Sequence, residues 1–375
     1  MFIVIHRHLA VMGTLGALLF AATAVFSQTT PRVTISGRVL DDSTLVPLEN
    51  VNVFLAHTTL GSNTDQNGRF EIRNIPVGSY EIVASRVGYA VRSYRVALSD
   101  TARQEFSIRL RAKTIQLGEV LVSDVDPVEW RKQLEIFTQL FLGSTQNATQ
   151  CKILNPEVID FRAEGSTFNA TARAPLEIEN LALGYRVEFF LSTFVVGPGI
   201  GVQAHVPAPA AKPTGRGFLT LEGLPKYVEI EPSTVEEERR WRGNRVRAFK
   251  GSLRHFLISL FRKELKTEGF VLNNGWVTED DVLGIGQKPN EKIVRFQDEL
   301  VVAFTREPTD HAFEEASGVR RIRGAVAQVS WLSLNYEAIT VNSEGLILER
   351  LPTIVHGYWA WERMADALPL DYEPE

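Results

Sequence analysis

Between Ile35 and Leu110 the chain is a series of short alternating runs cut by turn residues, and this pattern constrains the fold more than any other feature. Val33, Ile35 and Val39 alternate with polar neighbours. Val51, Val53 and Leu55 do the same, as do Phe70 with Ile72, Tyr80 with Ile82, and Phe106, Ile108 and Leu110. A period of two over a few residues marks a strand with one face buried. Asp41-Asp42-Ser43, Asp65-Gln66-Asn67-Gly68 and Pro76-Val77-Gly78 separate the runs. Strands this short between such turns predict a small antiparallel sandwich. Gly68 and Gly78 are expected to supply positive φ angles that other residues resist. Asp65 and Asn67 lack the further acids and distal Glu of a calcium loop, so an Asx turn into a strand is the better account.

The order of motifs in this stretch is specific. Gly37-Arg38-Val39, Pro47 to Val53, Thr64-Asp65 to Gly68-Arg69-Phe70, Ile75-Pro76-Val77-Gly78-Ser79-Tyr80 and Gly88-Tyr89 follow one another as in a known family. The stretch resembles the carboxypeptidase regulatory-like domain, a seven-stranded prealbumin-type sandwich with a carbohydrate-binding-like fold, common at the front of Bacteroidota envelope proteins. The resemblance implies a fold and a setting; a fold by itself does not name a reaction.

The N-terminus fits that setting. Arg7 precedes an apolar run from Leu9 to Phe26, and Ser27-Gln28-Thr29-Thr30-Pro31 is polar. This is the layout of a secretory signal over residues 1–27, with cleavage after Ala24 or Ser27. The run is also just long enough to act as an uncleaved anchor, which would give membrane association through the N-terminus. No cysteine follows it, so a lipid-anchored lipoprotein is excluded. The expected location is export to the periplasm, outer membrane or cell surface.

Beyond the sandwich at residues 31–111 and a linker at 112–127, residues 128–370 read as a larger β-rich α+β domain with two helices. Thr114 to Val122 reads as one more extended segment. Asp126 and Pro127 open the first helix, with Trp130, Leu134, Phe137 and Phe141 on one face and Gly143 at its end. Strands follow to Val196. Gly197-Pro198-Gly199-Ile200-Gly201 is too close to the proline-rich Pro207 to Pro213 to be a nucleotide loop. The second helix is expected from Ser252 to Gly269, on Leu253, Phe256, Leu257, Leu260, Phe261 and Leu265. Cys151-Lys152-Ile153-Leu154-Asn155-Pro156, Leu183-Gly184-Tyr185 and Gly251 to Leu257 with Glu268-Gly269-Phe270 resemble uncharacterised Bacteroidota envelope proteins that carry the same front domain.

Several chemistries are missing from the chain. The single cysteine, Cys151, permits no intramolecular disulfide and no cysteine zinc site, and its apolar neighbours place it in a core. The histidines after the signal stand one by one; His311-Ala312-Phe313-Glu314 is the only His-x-x-Glu pair. No zincin helix, nucleophile elbow or phosphate loop occurs. A net charge of −5 argues against a nucleic-acid partner. No cofactor is expected.

One basic stretch stands out. From Arg239 to Lys266 the only acid is Glu264. Arg242, Arg245, Arg247, Lys250 and Arg254 form a candidate anion-binding patch; read as a strand, the run puts Arg245 and Arg247 on one face. The competing reading is a solvated face countered by Glu236, Glu237 and Glu238.

The sequence therefore points to an exported, non-enzymatic envelope protein whose front domain is an interaction module for an envelope protein or glycan. Two alternatives are an envelope polysaccharide hydrolase, betrayed by a cleft with two close acids of raised pKa, and a periplasmic accessory of an outer-membrane assembly. Export carries a direct test: protein recovered from the envelope fraction should begin at Val25 or Gln28 on N-terminal sequencing. An intact Met1 on a cytosolic protein would refute it.

Overall fold

The computed structural model describes residues 31–99, 104–113, 126–165, 167–197, 219–317, 327–350 and 353–374. The expected signal segment, most of the expected linker with its extended run, and the proline-rich stretch all lie outside the described residues.

Seven strands build the front sandwich: β1 (Arg32–Asp41), β2 (Asn52–Leu55), β3 (Gly61–Asn63), β4 (Arg69–Pro76), β5 (Gly78–Ser85), β6 (Arg92–Leu98) and β7 (Gln104–Leu110). One sheet has the order β4-β1-β7 and the other β3-β2-β5-β6. All pairs are antiparallel except β1 with β7, which run parallel from Ile35 opposite Gln104 to Asp41 opposite Leu110. The alternating apolar positions meet between the sheets: Ile35, Val39, Val53, Leu55, Phe70, Ile72, Tyr80, Ile82 and Ile108 share one core. Gly37 is required there, because a Cβ would lie 2.2 Å from the Phe106 carbonyl oxygen. Asp65 closes the expected Asx turn, its Oδ1 accepting from the amides of Asn67 (2.9 Å) and Arg69 (2.8 Å). Gly68 has φ +69°, as expected. Gly78 does not adopt a positive φ; it opens β5, and its small size leaves room for the Tyr80 ring.

The next unit lays α1 (Pro127–Leu142) on a sheet of β8 (Cys151–Ile153), β9 (Ile159–Glu164), β10 (Thr167–Ala172), β11 (Leu176–Asn180), β12 (Tyr185–Val196) and β13 (Leu219–Glu229). The sheet order is β8-β11-β12-β10-β9, and β13 pairs with β12. Asp126 caps α1 by accepting from Val128 N, and Gly143 ends it. The aromatic stripe is core. Phe137 stacks on Phe141 at 5.1 Å, and these rings meet Phe194 at 4.6 Å and Phe189 at 5.0 Å. Ring pairs at such separations add to the area they bury.

Residues Val235–Phe249 form α2, which corrects the strand reading of the basic run. Thr234 accepts from Glu237 N at 3.1 Å, and Glu236, Glu237 and Glu238 fill the first turn. A side-chain cap and acids at a helix N-terminus start the helix, and the arginines that follow are good helix formers. The acids that the patch reading treated as counter-charges are thus the helix start. Trp241 anchors α2, with its indole donating to Leu181 O at 2.7 Å and its ring over Gly184, where a Cβ would lie 2.4 Å away.

The expected second helix is two pieces, α3 (Leu253–Arg262) and α4 (Leu265–Glu268). Ser252 caps the start, and Lys263 breaks the run with a left-handed φ of +59°. After β14 (Phe270–Leu272) come α5 (Glu279–Val282), β15 (Leu283–Ile285), β16 (Glu291–Val294), β17 (Leu300–Phe304), α6 (His311–Ser317), β18 (Gln328–Leu334), β19 (Ile339–Asn342), β20 (Thr353–Gly357) and α7 (Tyr358–Trp361). The helices thus exceed the two expected after the linker, because α2 and the short turns α4 to α7 carry no long apolar stripe. Two sheets result, β14-β17-β18-β20 and β15-β16-β19. Phe256, Leu260, Phe270, Phe304, Leu332, Val341 and Trp359 share their core with α3. The protein is mainly β, and among the described residues the helices lie after the sandwich.

The outer side of β2 and β5 is not solvent-facing. Phe54 and Val83 are fully buried, packed with Phe190 and Leu224 of the middle sheet, and the Phe54 and Phe190 rings stack at 5.5 Å. Phe54→Ala should therefore cost about 3–5 kcal/mol, read as a lower denaturant midpoint of the whole chain. A midpoint unchanged within error would show that this contact does not hold the parts together.

Candidate functional site

The three parts meet at the turn between β2 and β3. His57 takes a left-handed φ of +64°, which turns its backbone outward from the sandwich. His57 N donates to Pro225 O at 2.7 Å, and Tyr227 N donates to Thr58 O at 3.0 Å, so β13 grips the turn. From the other side Leu370 N donates to His57 O at 2.7 Å. Thr59 N donates to Asp371 Oδ1 at 3.0 Å, and its hydroxyl reaches the same carboxylate. Lys226 and Asn52 bond at 2.9 Å, and Asn52 donates to Glu188 at 3.1 Å.

Arg254 holds the C-terminal segment in this place. Its guanidinium donates to the carbonyls of Glu344, Pro369, Leu370 and Tyr372 at 2.5–3.2 Å. A planar fork with five N–H donors suits such a cluster of carbonyls, and a lysine could not reproduce it. Burial pulls its pKa below the usual guanidinium value, while Asp371 and Glu344 act to raise it.

Around this junction lies a cavity of about 870 Å³, lined from all three parts: by His57 and Glu81, by Glu222 and Tyr227, by Leu257 and Trp359. Arg350 stands between Glu81 and Glu222, 3.9 Å from each. Burial pushes the His57 imidazole down to about 4, against a raising influence of Glu81, so the ring is neutral at physiological pH. Two acids line the wall after α7. Asp366 is buried and raised to about 6 by desolvation, although Thr145 (2.7 Å) and Asn147 (2.8 Å) donate to its two oxygens. Glu362 is raised well above the ordinary range by burial first, then by the charges of Asp366 and Glu307. Arg363 is lowered by burial to about 10, and its Nε donates to Ala360 O.

The five residues of the expected patch have separate fates. On α2, Arg245 and Arg247 stand about 200° apart rather than on one face. Arg245 lies over the Tyr185 ring at 4.1 Å, donates to Leu183 O at 2.7 Å and pairs with Glu229 at 3.3 Å. Arg242 pairs with Glu238 at 3.1 Å, and Arg247 bonds to Asn244. Lys250 is exposed at the end of α2, and Arg254 is inside the junction. Cys151 is buried in β8, and burial pushes its thiol up to about 12. His311 faces Glu315 at 3.7 Å rather than Glu314, which bonds to Thr309. His255 is buried, accepts at Nδ1 from Gly251 N and meets Glu268 at 3.3 Å through Nε2. Among the described residues no three His, Cys, Asp or Glu gather so as to hold a metal ion. The roles of Arg254, Glu362 and Asp366 were missed by sequence reasoning. Only the aromatic run Tyr358-Trp359-Ala360-Trp361 signalled that the C-terminal segment is buried.

Residues 35–122 match the family model of the CarboxypepD_reg-like domain, which covers the described sandwich from β1 to β7. No curated protein matches the chain. The group B streptococcus pilus 2b backbone protein is similar at 19% identity over 22% of this chain and 42% of its own, with TM-score 0.20. A type II cohesin–X–dockerin complex from Acetivibrio cellulolyticus is similar at 27% identity, over 31% of this chain and 79% of that one, TM-score 0.20. A DUF3823 family protein from Parabacteroides merdae is similar at 15% identity, over 44% of this chain and 67% of that one, TM-score 0.18. Likenesses at these scores carry no argument about the whole chain, and the match spans under half of the pilus protein's length.

Asp366 sets a pH dependence. Its folded-state value lies above its unfolded one, so the folded state holds the proton more tightly. Its contribution is fully favourable below about 4 and is lost as pH rises through about 6; Glu362 acts in the same direction. Asp366→Asn should flatten the fall in unfolding free energy between pH 4 and pH 6, by about 3 kcal/mol for a shift of this size. An identical pH profile in the variant would show that Asp366 is not the titrating group.

Proposed function

We propose that this is an exported cell-envelope protein in which the CarboxypepD_reg-like sandwich is a non-enzymatic interaction module. The clamp on the β2–β3 turn carries the reading. Phe54, His57, Thr58 and Thr59 fix the sandwich against β13 and the C-terminal segment. The rest of the chain thereby holds the module in a set orientation, with the β4-β1-β7 sheet on the side away from Phe54. A partner of envelope protein or glycan type fits the setting of the family. Several groups capable of chemistry are in states or contacts set by the fold. The Cys151 thiol is held protonated, His57 is neutral, and both Asp366 oxygens accept hydrogen bonds.

A hydrolase of envelope polymers is the second reading, and one observation favours it: Glu362 and Asp366 both line the junction cavity with raised pKa values. Such pairs are what acid-base catalysis uses. The two readings separate on one assay. Purified protein incubated with peptidoglycan and with outer-membrane polysaccharide should release no soluble fragments while remaining bound to at least one envelope fraction. Fragment release that disappears in Glu362→Gln would replace the binding reading with the hydrolase one.

A further inference from the structure

Two loops of the front sandwich carry exposed apolar residues to the same end. One is the turn after β1, where Leu45 is 52% and Val46 57% exposed. The other joins β5 to β6, where Val87 is 99% and Val91 39% exposed. The segment after β7 stitches the loops together. Asp42 N donates to Leu110 O at 2.8 Å, Ala90 N to Arg111 O at 2.9 Å, and Lys113 N to Gly88 O at 2.8 Å. Tyr89 Oη donates to Asp41 Oδ2 at 3.1 Å, which ties one loop directly to the other. Asp41 Oδ1 accepts from the amides and hydroxyls of Ser43 and Thr44, so the first loop is set by its own Asx turn. These tips are therefore held out by hydrogen bonds.

Cations frame them. Arg92, Arg111 and Lys113 are exposed, and Arg86 lies 5.4 Å over the Tyr89 ring. The two described acids that touch these tips are already committed: Asp41 to its turn, and Asp42 to Arg111 at 3.5 Å. Among the described residues Arg92 and Lys113 have no acid partner. Among the described residues these tips are thus framed by cations in a chain of net charge −5.

We propose that this end of the sandwich docks on the surface of a bilayer containing anionic lipid. Shape and charge together favour a lipid surface. Val87 projects almost wholly into solvent, and a Cβ placed on Gly88 would meet nothing within 4 Å. A convex apolar tip enters the headgroup layer of a bilayer without needing a preformed pocket in its partner. The cations then lie level with lipid phosphates, where each basic residue strengthens binding. Exposed apolar residues rimmed by polar ones mark such contact sites.

This inference rests on the reading of the sandwich as an interaction module and names a lipid surface as what it meets. The full chain carrying Val87→Cys, labelled with an environment-sensitive fluorophore, tests it locally; Cys151 is buried and competes little for the label. The label should shift to the blue with vesicles of phosphatidylcholine and phosphatidylglycerol in equal parts, and not with phosphatidylcholine alone. The shift should fade as salt rises, because charges near a surface are screened. Arg92→Gln with Lys113→Gln should weaken the affinity roughly 30-fold, at about fivefold for each cation. No shift on either vesicle overturns the proposal, as does an equal shift on both. A shift produced by envelope protein without lipid also overturns it, while leaving the interaction-module reading standing.

Discussion

The contact on which the whole arrangement depends is the grip on the turn at His57 to Thr59. A two-sheet sandwich of this size has its own core, made of Ile35, Val39, Phe70, Ile82 and their neighbours. That core does nothing to fix the sandwich relative to the rest. Orientation comes from main-chain hydrogen bonds to Pro225, Tyr227 and Leu370, backed by the Phe54–Phe190 stack. Backbone donors and acceptors used this way are directional, and the buried ring excludes water from them. The left-handed backbone at His57 is part of the same device: at this turn its N–H meets Pro225 O and its C=O meets Leu370 N.

The C-terminal segment depends on this grip in turn. From α7 onward the chain runs along the boundary between the middle and rear cores, where Trp359 of α7 joins the rear core and Met364 and Ala365 the middle one. A segment on that path carries polar atoms into poor solvent. Asp366 is compensated by Thr145 and Asn147, the carbonyls of Pro369 to Tyr372 by Arg254, and Asp371 by Thr59. Glu362 is compensated less, which is why burial raises it so far. Desolvation without a partner favours the neutral acid. The cavity is thus bordered by one carboxyl that is structural and one whose pKa burial raises.

The fold of the sandwich was legible because alternation and turn chemistry are local. Asp65 to Gly68, the buried face of each strand and the cap at Asp126 all depend on neighbours within a few positions. The parallel pairing of β1 with β7 was not legible, since it is set by how distant strands meet. Nor was α2: its arginines lack an apolar stripe, and only Thr234 with Glu236 to Glu238 gave the start away, residues first read as counter-charges. The junction was invisible for a simpler reason. Thr59 and Asp371 lie at opposite ends of the chain, and nothing in either neighbourhood announces the other. The same holds for Arg254, which shares its helix with an apolar stripe and reads as one more surface cation.

The density of basic residues along the sequence is therefore not a measure of free charge. The dense run from Arg239 to Lys266 spends much of its charge internally. Arg245 is laid on Tyr185 and on two carbonyls, Arg242 on Glu238, Arg254 on the C-terminal segment, and Lys263 on Asp280. The sparser cations at Arg92 and Lys113 sit where the nearest acids are already occupied by hydroxyls and by Arg111. What a charge can do for a partner depends on what it has already been asked to do for the fold. Local density along the chain measures neither, because the acids that answer a cation come from other strands and other loops.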